Sequence, residues 1–200
     1  MKNFEDYLET GLKFHGHRCP AMPMGLRAGL AAMKALGVER APDKELQVLA
    51  ETGEGHAAGC FLDGIMTATG CTYGKSNIKK LYYNKMAFTL IDVKSGRSVR
   101  VSIKNEVLAQ SLKSPFIEQR KAGVPPQDVP AEIADPVINK VLNVPEENLL
   151  NIGEIKVIDL PKGKGVFEAE PCAKCGEITF INKLQETPSG KVCIPCAAEE

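Results

Sequence analysis

The chain has 200 residues, of which 44% are hydrophobic, so it is long enough for one domain with a small appendage and can bury an apolar core. Its 25 basic and 25 acidic residues balance to a formal net charge of zero, which excludes an overall field that would attract nucleic acid or anionic lipid. The first residues lack the apolar stretch of a signal peptide, and no apolar run approaches the ~20 residues of a membrane span. We therefore expect a cytoplasmic protein without disulfides, whose seven cysteines serve metal or thiol chemistry.

Residues 1–166 predict one α+β core domain, in which helices and a mainly antiparallel sheet mix without a regular βαβ rhythm. The predicted elements are, in chain order, a helix in "GLRAGLAAMKALG", a strand in "KELQVLAET", a helix in "CFLDGIMTAT", a hairpin of "KMAFTLIDV" and "SVRVSI", a helix in "NEVLAQSLK", short helices over 124–150 and a last strand in "EIKVIDL". The first hairpin strand is apolar on both faces, which predicts a central position in the sheet. Gly25 and Gly29 lie four residues apart on the first of these helices, where glycine is costly, so we expect the close approach of a backbone or a ligand.

The stretch "FHGHRCP" places His15, His17 and Cys19 at alternate positions. In a straight strand their side chains would project ~6.6 Å apart. Ligands of one zinc ion lie closer together, so a shared ion requires the chain to curl, which Gly16 permits. We expect two of the three residues to bind a metal and the third to support them. The alternative is two histidines that bond to the backbone beside a buried cysteine.

The helix "CFLDGIMTAT" predicts the second half of this site. Cys60, Asp63 and Thr67 share one face of it, as on the wall of a cleft, although an ordinary solvent-exposed face has the same pattern. Both Cys19 and Cys60 precede or open a helix, which favours the thiolate. The candidate ligands of a core site for zinc or another transition metal are His15, His17, Cys19 and Cys60. If the site is catalytic, Asp63 orients a ligand or acts as general base, and Lys75 anchors an anionic substrate.

Two further residues near this predicted cleft leave their roles open. Cys71 in "TGCTYGKSN" is either a ligand or, more commonly for a lone cysteine, a buried small hydrophobe. His56 lies in the glycine-rich loop "GEGHAAG", where it either borders the site or is simply solvated.

Residues 167–200 predict a small zinc-ribbon or treble-clef-like domain. Two CxxC pairs, formed by Cys172, Cys175, Cys193 and Cys196, flank a predicted hairpin of "ITFI" and "KV". The spacing favours a structural zinc ion with four thiolate ligands over a redox pair, which needs a single CxxC. The charges of this segment are balanced, so a protein partner is a better expectation for it than nucleic acid.

Three stretches together resemble the FmdE family, which takes its name from a component of formylmethanofuran dehydrogenase. They are "FHGHRCPAMPMGLRAG", "AETGEGHAAGCFLDGIMTATGCTYGKSNI" and "KMAFTLIDVKSGRSVRV", and the four-cysteine tail is similar to one that many members carry. Ala21 stands where members commonly have glycine, and the segment between Glu51 and Cys60 looks longer than usual. The resemblance implies an α+β core with a metal-capable cleft, a separate zinc finger, commonly a homodimer, and a link to one-carbon metabolism. Nothing in the chain resembles the molybdopterin-binding or iron–sulfur parts that the dehydrogenase reaction needs.

Three functions compete on these observations. The first is a metal-dependent enzyme or catalytic accessory with an open coordination position in the core site. The second is a non-catalytic metal carrier, assembly or regulatory protein whose zinc finger docks a partner. The third, regulation through nucleic acid, is disfavoured by the charge balance. A complete shell of protein ligands in the core site would favour the second.

Overall fold

The structure is a computed structural model that describes residues 4–54, 56–159 and 165–199, without the side chains of residues 56 and 57. The helices are α1 (Phe4–His15), α2 (Ala21–Leu36), α3 (His56–Thr69), α4 (Asn105–Ser111), α5 (Pro115–Lys121), α6 (Ala131–Asn143), α7 (Glu146–Leu149) and α8 (Ile194–Ala197), with short 3-10 helices at Pro126–Asp128 and Ile181–Lys183. The strands are β1 (Leu46–Ala50), β2 (Ile78–Lys80), β3 (Ala87–Asp92), β4 (Arg97–Ile103), β5 (Leu150–Ile152), β6 (Lys156–Val157), β7 (Ala169–Pro171), β8 (Ile178–Phe180), β9 (Leu184–Thr187) and β10 (Gly190–Cys193). Within the described part of the chain, no helix has both the length and the apolar content needed to cross a membrane.

The chain divides into two compact units, residues 1–160 and 161–200, whereas the sequence places the boundary between 166 and 167. The first unit contains a sheet of β1 to β6 in the order β2-β1-β3-β4-β5, with β6 also paired to β4. The sheet is antiparallel except for β1 and β2, which are parallel and joined through α3. This mixed helix-and-sheet architecture is the α+β core that the sequence predicts.

The predicted hairpin forms β3 and β4 and confirms the expected burial. β3 lies between β1 and β4, and both Leu90 and its sequence neighbour Ile91 are fully buried although they point to opposite faces. On β4, Val99 and Val101 are buried while Arg100 between them is exposed. The main apolar cluster combines the inner face of this sheet with residues of α2 and α3, so these two helices cover the sheet on that face.

Several local predictions need correction. The sequence misses α1, β2 and β5. Among residues 154–159 of the predicted last strand, only Lys156 and Val157 pair. The helix predicted in "NEVLAQSLK" is α4, which ends at Ser111, before the end of that stretch. Pro115 starts the separate helix α5, where the Ser114 hydroxyl accepts a hydrogen bond from the Ile117 N–H.

In its described residues, the second unit is a small treble-clef-like domain of two hairpins, the 3-10 helix Ile181–Lys183 and the short helix α8. β8, the "ITF" of the predicted hairpin, pairs with β7, and "KV" belongs to β10, which pairs with β9. The sequence therefore predicts the wrong strand partners here. Its buried apolar cluster consists of Cys172, Val192, Cys193 and Cys196, so three of the four members are cysteines.

Candidate metal centres and the adjoining cleft

The end of α1 brings the first histidine into the site. His15 is the last residue of this helix, and Gly16 ends it in the left-handed region at φ 85°, where its N–H donates to the Leu12 carbonyl at 3.0 Å. The chain therefore turns sharply instead of continuing as a strand. His15 Nε2 comes to lie 3.1 Å from His17 Nε2 and 3.4 Å from the Cys19 sulfur. This is the curl that a shared ion requires.

The close packing of α2 against α3 brings in the fourth side chain. A Cβ atom on Gly25 would lie 1.8 Å from the Phe61 carbonyl oxygen, and one on Gly64 would lie 2.1 Å from the Met22 carbonyl oxygen. Only glycine permits this approach, because any Cβ would collide with backbone. Cys19 lies just before the start of α2 and Cys60 lies in the first half of α3, so the two sulfurs meet at this interface.

The nitrogen and sulfur atoms of the four residues all lie within 4.8 Å of one another. The Cys60 sulfur is 3.9 Å from His17 Nε2. With Zn–N bonds of ~2.0–2.1 Å and Zn–S bonds of ~2.3 Å, a tetrahedral shell has N–N and N–S edges of about 3.3 and 3.6 Å. The N–N separation of 3.1 Å and the N–S separations of 3.4 and 3.9 Å are close to these edges. The donor set thus fits a single transition-metal ion.

Asp63 supports this donor set from α3. Its Oδ2 is 2.7 Å from His15 Nδ1, so the imidazole donates its Nδ1–H to the carboxylate and turns Nε2 towards the other ligands. The hydrogen bond to Asp63, helped by the Cys19 sulfur, raises the pKa of His15 to about 9. A carboxylate bonded to the outer nitrogen of a ligating histidine is a common support of metal sites, because it fixes the tautomer and the ring orientation.

The two core thiols differ in their acidity. Cys19 and Cys60 are both buried, and the pKa of Cys19 is lowered because the Cys60 thiol, His15 and the Met22 N–H at the start of α2 stabilise its thiolate. The adjacent Cys19 sulfur and burial raise the pKa of Cys60. The expected helix-terminus effect therefore acts on Cys19 but is outweighed at Cys60, the fifth residue of α3. A bound cation would favour the thiolate form of both.

A cavity of about 250 Å³ adjoins the sulfur side of this cluster. Cys19 and Cys60 form part of its wall, and apolar side chains of α2, α4 and α5 form most of the remainder. The predicted cleft is thus present, but it opens towards the two sulfurs rather than along the Asp63 and Thr67 face of α3.

The other candidate residues of the core lie apart from this cluster. The Lys75 Nζ donates to the carbonyls of Ala41 and Pro42 at 3.3 and 3.1 Å, beyond the carboxyl end of α3. It therefore holds a loop, and the length of α3 separates it from Cys60. Cys71 is fully buried in the main core and contacts the Leu46 carbonyl at 3.4 Å, which matches the interpretation as a small hydrophobe. The question of the His56 side chain lies outside the described residues.

The second unit gathers its four cysteines into another candidate metal site. Their sulfurs also lie within 4.8 Å of one another. Cys172 and Cys175 lie in the turn between β7 and β8, while Cys193 ends β10 and Cys196 lies in α8. The backbone N–H groups of Cys175 and Cys193 lower the pKa of Cys172, which suits thiolate ligation. The first CxxC pair therefore lies in a turn, whereas the second spans the end of a strand and a short helix.

A signal for α1 is present in the sequence, although the predicted elements do not include this helix. The apolar residues Phe4, Tyr7, Leu8 and Leu12 recur at helical spacing, acidic residues occupy its first turn, and Gly16 follows its end. This helix would have placed His15 at a helix end and predicted the turn. The contribution of Arg120 to the cavity wall had no comparable signal in the sequence.

Comparison with known proteins agrees with this architecture. A curated relative from Archaeoglobus fulgidus, named as a probable S-adenosyl-L-methionine-binding protein, is 29% identical over 198 residues, which cover 92% of this chain and 50% of that protein. The chain thus spans about half the length of this relative. A crystal structure of a tungsten formylmethanofuran dehydrogenase FmdE-like protein from Syntrophus aciditrophicus shares the fold with a TM-score of 0.64 at 20% identity, covering 100% of this chain and 94% of that one.

The family comparison covers the core unit with its His/Cys cluster. The sequence model of the family described as "FmdE, Molybdenum formylmethanofuran dehydrogenase operon" matches residues 14–151, which include all four core donors and the whole of β1 to β4. This chain belongs to the FmdE family.

Proposed function

We propose that this FmdE-family protein binds one transition-metal ion in each of its two units. The observation that carries the proposal is the convergence of four nitrogen and sulfur donors in the core, at separations close to the edges of one tetrahedral shell. Zinc is the proposed occupant of both sites, since it accepts mixed imidazole and thiolate ligands as well as four thiolates. All seven cysteines are free thiols in the structure, which fits a reducing compartment such as the cytoplasm.

The core ion is proposed to have a structural or accessory role rather than a catalytic one. His15, His17, Cys19 and Cys60 supply four protein ligands, so a tetrahedral ion has no open position for water or substrate. Asp63 then orients His15 and is not a general base. The family name supports an accessory role in one-carbon metabolism, and the second unit is proposed to be a structural zinc finger that docks a partner protein.

The metal content of purified protein tests this proposal. Wild-type protein is expected to contain two equivalents by elemental analysis, the double variant Cys19→Ser/Cys60→Ser one, and Cys172→Ser/Cys175→Ser also one. Cys71→Ala is the matched control, because Cys71 is a buried cysteine outside both clusters, and it should retain both equivalents. Two equivalents in Cys19→Ser/Cys60→Ser would contradict the core site.

X-ray absorption on the tail variant Cys172→Ser/Cys175→Ser tests the accessory role separately, because that variant holds only the core ion. The expected first shell has two nitrogen and two sulfur neighbours. An oxygen neighbour that replaces one nitrogen or sulfur neighbour would mean that the ion has an open position, and it would favour the catalytic alternative.

A further inference from the structure

We propose that the cavity beside the core cluster binds a small organic carboxylate with an apolar chain. The inference rests on the proposed function, because the sulfur side of the metal site forms one wall of this cavity. It names a ligand class for a cleft that the metal proposal leaves without a role. Three features of the cavity support it, namely the apolar walls, two cations without a carboxylate partner among the described residues, and two sulfurs whose thiolate charge a bound divalent ion would balance.

The walls of the cavity favour an apolar chain. Met24 and Met86 line one part, and Leu108, Phe116 and Ile117 line the part formed by α4 and α5. Flexible methionine side chains adapt to chains of differing shape. The volume is about 250 Å³. At ~30 Å³ for each water-sized unit this corresponds to about eight non-hydrogen atoms.

Two cationic side chains of α5, Arg120 and Lys121, also line the cavity. Neither forms an ion pair with a carboxylate of the residues that the structure describes. Arg120 Nη1 donates to the Val124 carbonyl, but its Nε is buried without an acceptor in the same part of the chain. A carboxylate is the acceptor whose geometry best matches a guanidinium, so these cations in the lining favour a carboxylate as the polar group of the ligand.

The sulfurs of Cys19 and Cys60 form another part of the lining. Two thiolates balance the charge of a divalent ion, so in the metal-bound protein this wall would carry little net charge. An alkyl chain therefore fits against the sulfurs while the carboxylate pairs with Arg120. The cavity thus has one polar edge and an otherwise apolar lining, which predicts the orientation of the ligand as well as its class.

Calorimetric titration of metal-loaded full-length protein tests the inference with three probes of equal chain length. Sodium octanoate should bind at least tenfold more tightly than 1-octanol, and octylammonium should bind most weakly. Arg120→Gln should lower the affinity for octanoate at least tenfold and leave that for octanol within twofold. Leu112→Trp, which fills the cavity from its exposed edge, should weaken both.

A second cavity provides the matched control. It has about 260 Å³, lies between α4 and α6, and has Lys140 as its cation. Lys140→Gln should leave octanoate binding unchanged. A tenfold loss of octanoate affinity in that variant would place the ligand in this second cavity and contradict the inference. Arg120→Gln removes the hydrogen bond to the Val124 carbonyl as well as the charge. Arg120→Lys retains the cation without the guanidinium, so it separates the effect of charge from that of geometry.

Two outcomes would overturn the inference, namely no heat of binding with octanoate, or equal affinities for the three probes. Metal analysis of the same samples separates this failure from failure of the proposed function. Two metal equivalents without octanoate binding would refute the ligand alone. Absence of the core metal would refute the proposed function, whatever the probes do.

Discussion

At the level of single residues, the hydrogen bond between His15 and Asp63 is the most informative contact of the core site. The His15 side chain is only 4% exposed, and its tautomer follows from the carboxylate that accepts from Nδ1. Asp63 is not one of the four donors, yet it decides which nitrogen of His15 faces them. Its position on α3, one turn after Cys60, lets a single helix carry both a ligand and the group that orients another ligand.

We predict that Asp63→Asn lowers the affinity of the core site for zinc by about 10- to 100-fold, the usual cost of losing such a support. The number of sites should stay at two when metal is in excess, since all donors remain. Competition with a chromophoric chelator measures the affinity. Asp128→Asn, an exposed aspartate on the first unit, serves as the control and should bind like the wild type.

A second residue-level pair contributes to the acid sensitivity of the core unit. Both nitrogens Nε and Nη2 of Arg100 on β4 bond the two carboxylate oxygens of Glu51, at 2.5 and 2.8 Å. The guanidinium holds the pKa of Glu51 below its ordinary value. Because the folded-state pKa is lowered, the pair stabilises the protein above the unfolded value near 4.5, and this stability is lost as the pH falls through the folded-state pKa.

We predict that Glu51→Gln lowers the free energy of unfolding at pH 7 by about 1–2 kcal/mol, less than for a fully buried pair because Arg100 is 47% exposed. The stability of the variant should then change less than that of the wild type between about pH 5 and about pH 3, around the ordinary pKa of a glutamate. Urea denaturation at several pH values measures this. Glu9→Gln, in an exposed pair with Lys13, is the control and should show no measurable change. Equal pH dependence in Glu51→Gln and wild type would contradict the assignment.

At the level of secondary structure, the contact between α2 and α3 determines whether the core site exists. Gly25 and Gly29 on α2 and Gly64 on α3 remove the side chains that would separate the two helices. The packing therefore joins a cysteine before one helix to a cysteine within the other. A ligand set that combines the segment before α2 with α3 needs this approach to be correct to within a fraction of a bond length.

We predict that Gly25→Ala and Gly64→Ala each lower the free energy of unfolding of the core by about 3 kcal/mol or more. This is at or above the upper end of the usual cost of overpacking, because the added Cβ meets backbone rather than a movable side chain. Each should also lower core metal content. The control is Gly59→Ala on the same helix α3, where a Cβ has nothing within 4 Å. That substitution should be neutral or stabilise by about 0.5–1 kcal/mol. Urea denaturation and elemental analysis of the same samples check both expectations.

At the level of the whole molecule, we expect the two units to depend on metal to different degrees. The first unit has a large apolar core formed by its sheet with α2 and α3. In the second unit the buried apolar cluster consists of three cysteines and one valine. Such a small cluster offers little hydrophobic stabilisation, so the folding of this unit is expected to depend on its ion.

We predict that a strong chelator unfolds residues 165–199 while the sheet of the first unit stays folded. Amide hydrogen exchange should show loss of protection in β9 and β10 and retained protection in β3 and β4. Readdition of zinc should restore protection in β9 and β10. Simultaneous loss of protection in both units would contradict this difference in metal dependence.

Prediction from the sequence succeeded where the residues that determine a feature are close together in the chain, and it failed where they are far apart. The hairpin of β3 and β4, the helix α2 and the two CxxC pairs were predicted because their signals lie within a few residues. The strand partners in the second unit were wrong, since pairing of β7 with β8 depends on residues before the first cysteine. Lys75 was selected for its chemistry, but its contacts with residues 41 and 42 lie more than thirty positions away in the chain.

The sequence by itself determined the α+β class, the family and the residues with ligand chemistry, because spacing and composition are local properties. Only the tertiary structure decided that both histidines and both core cysteines lie together, that Asp63 bonds His15, and that the cavity opens on the sulfur side. The physical reason is that Cys19 and Cys60, 41 positions apart in the chain, are joined by a helix contact whose distance depends on the absence of Cβ atoms at three glycines. Such a distance is a property of the packed interface, and no single segment of the chain contains it.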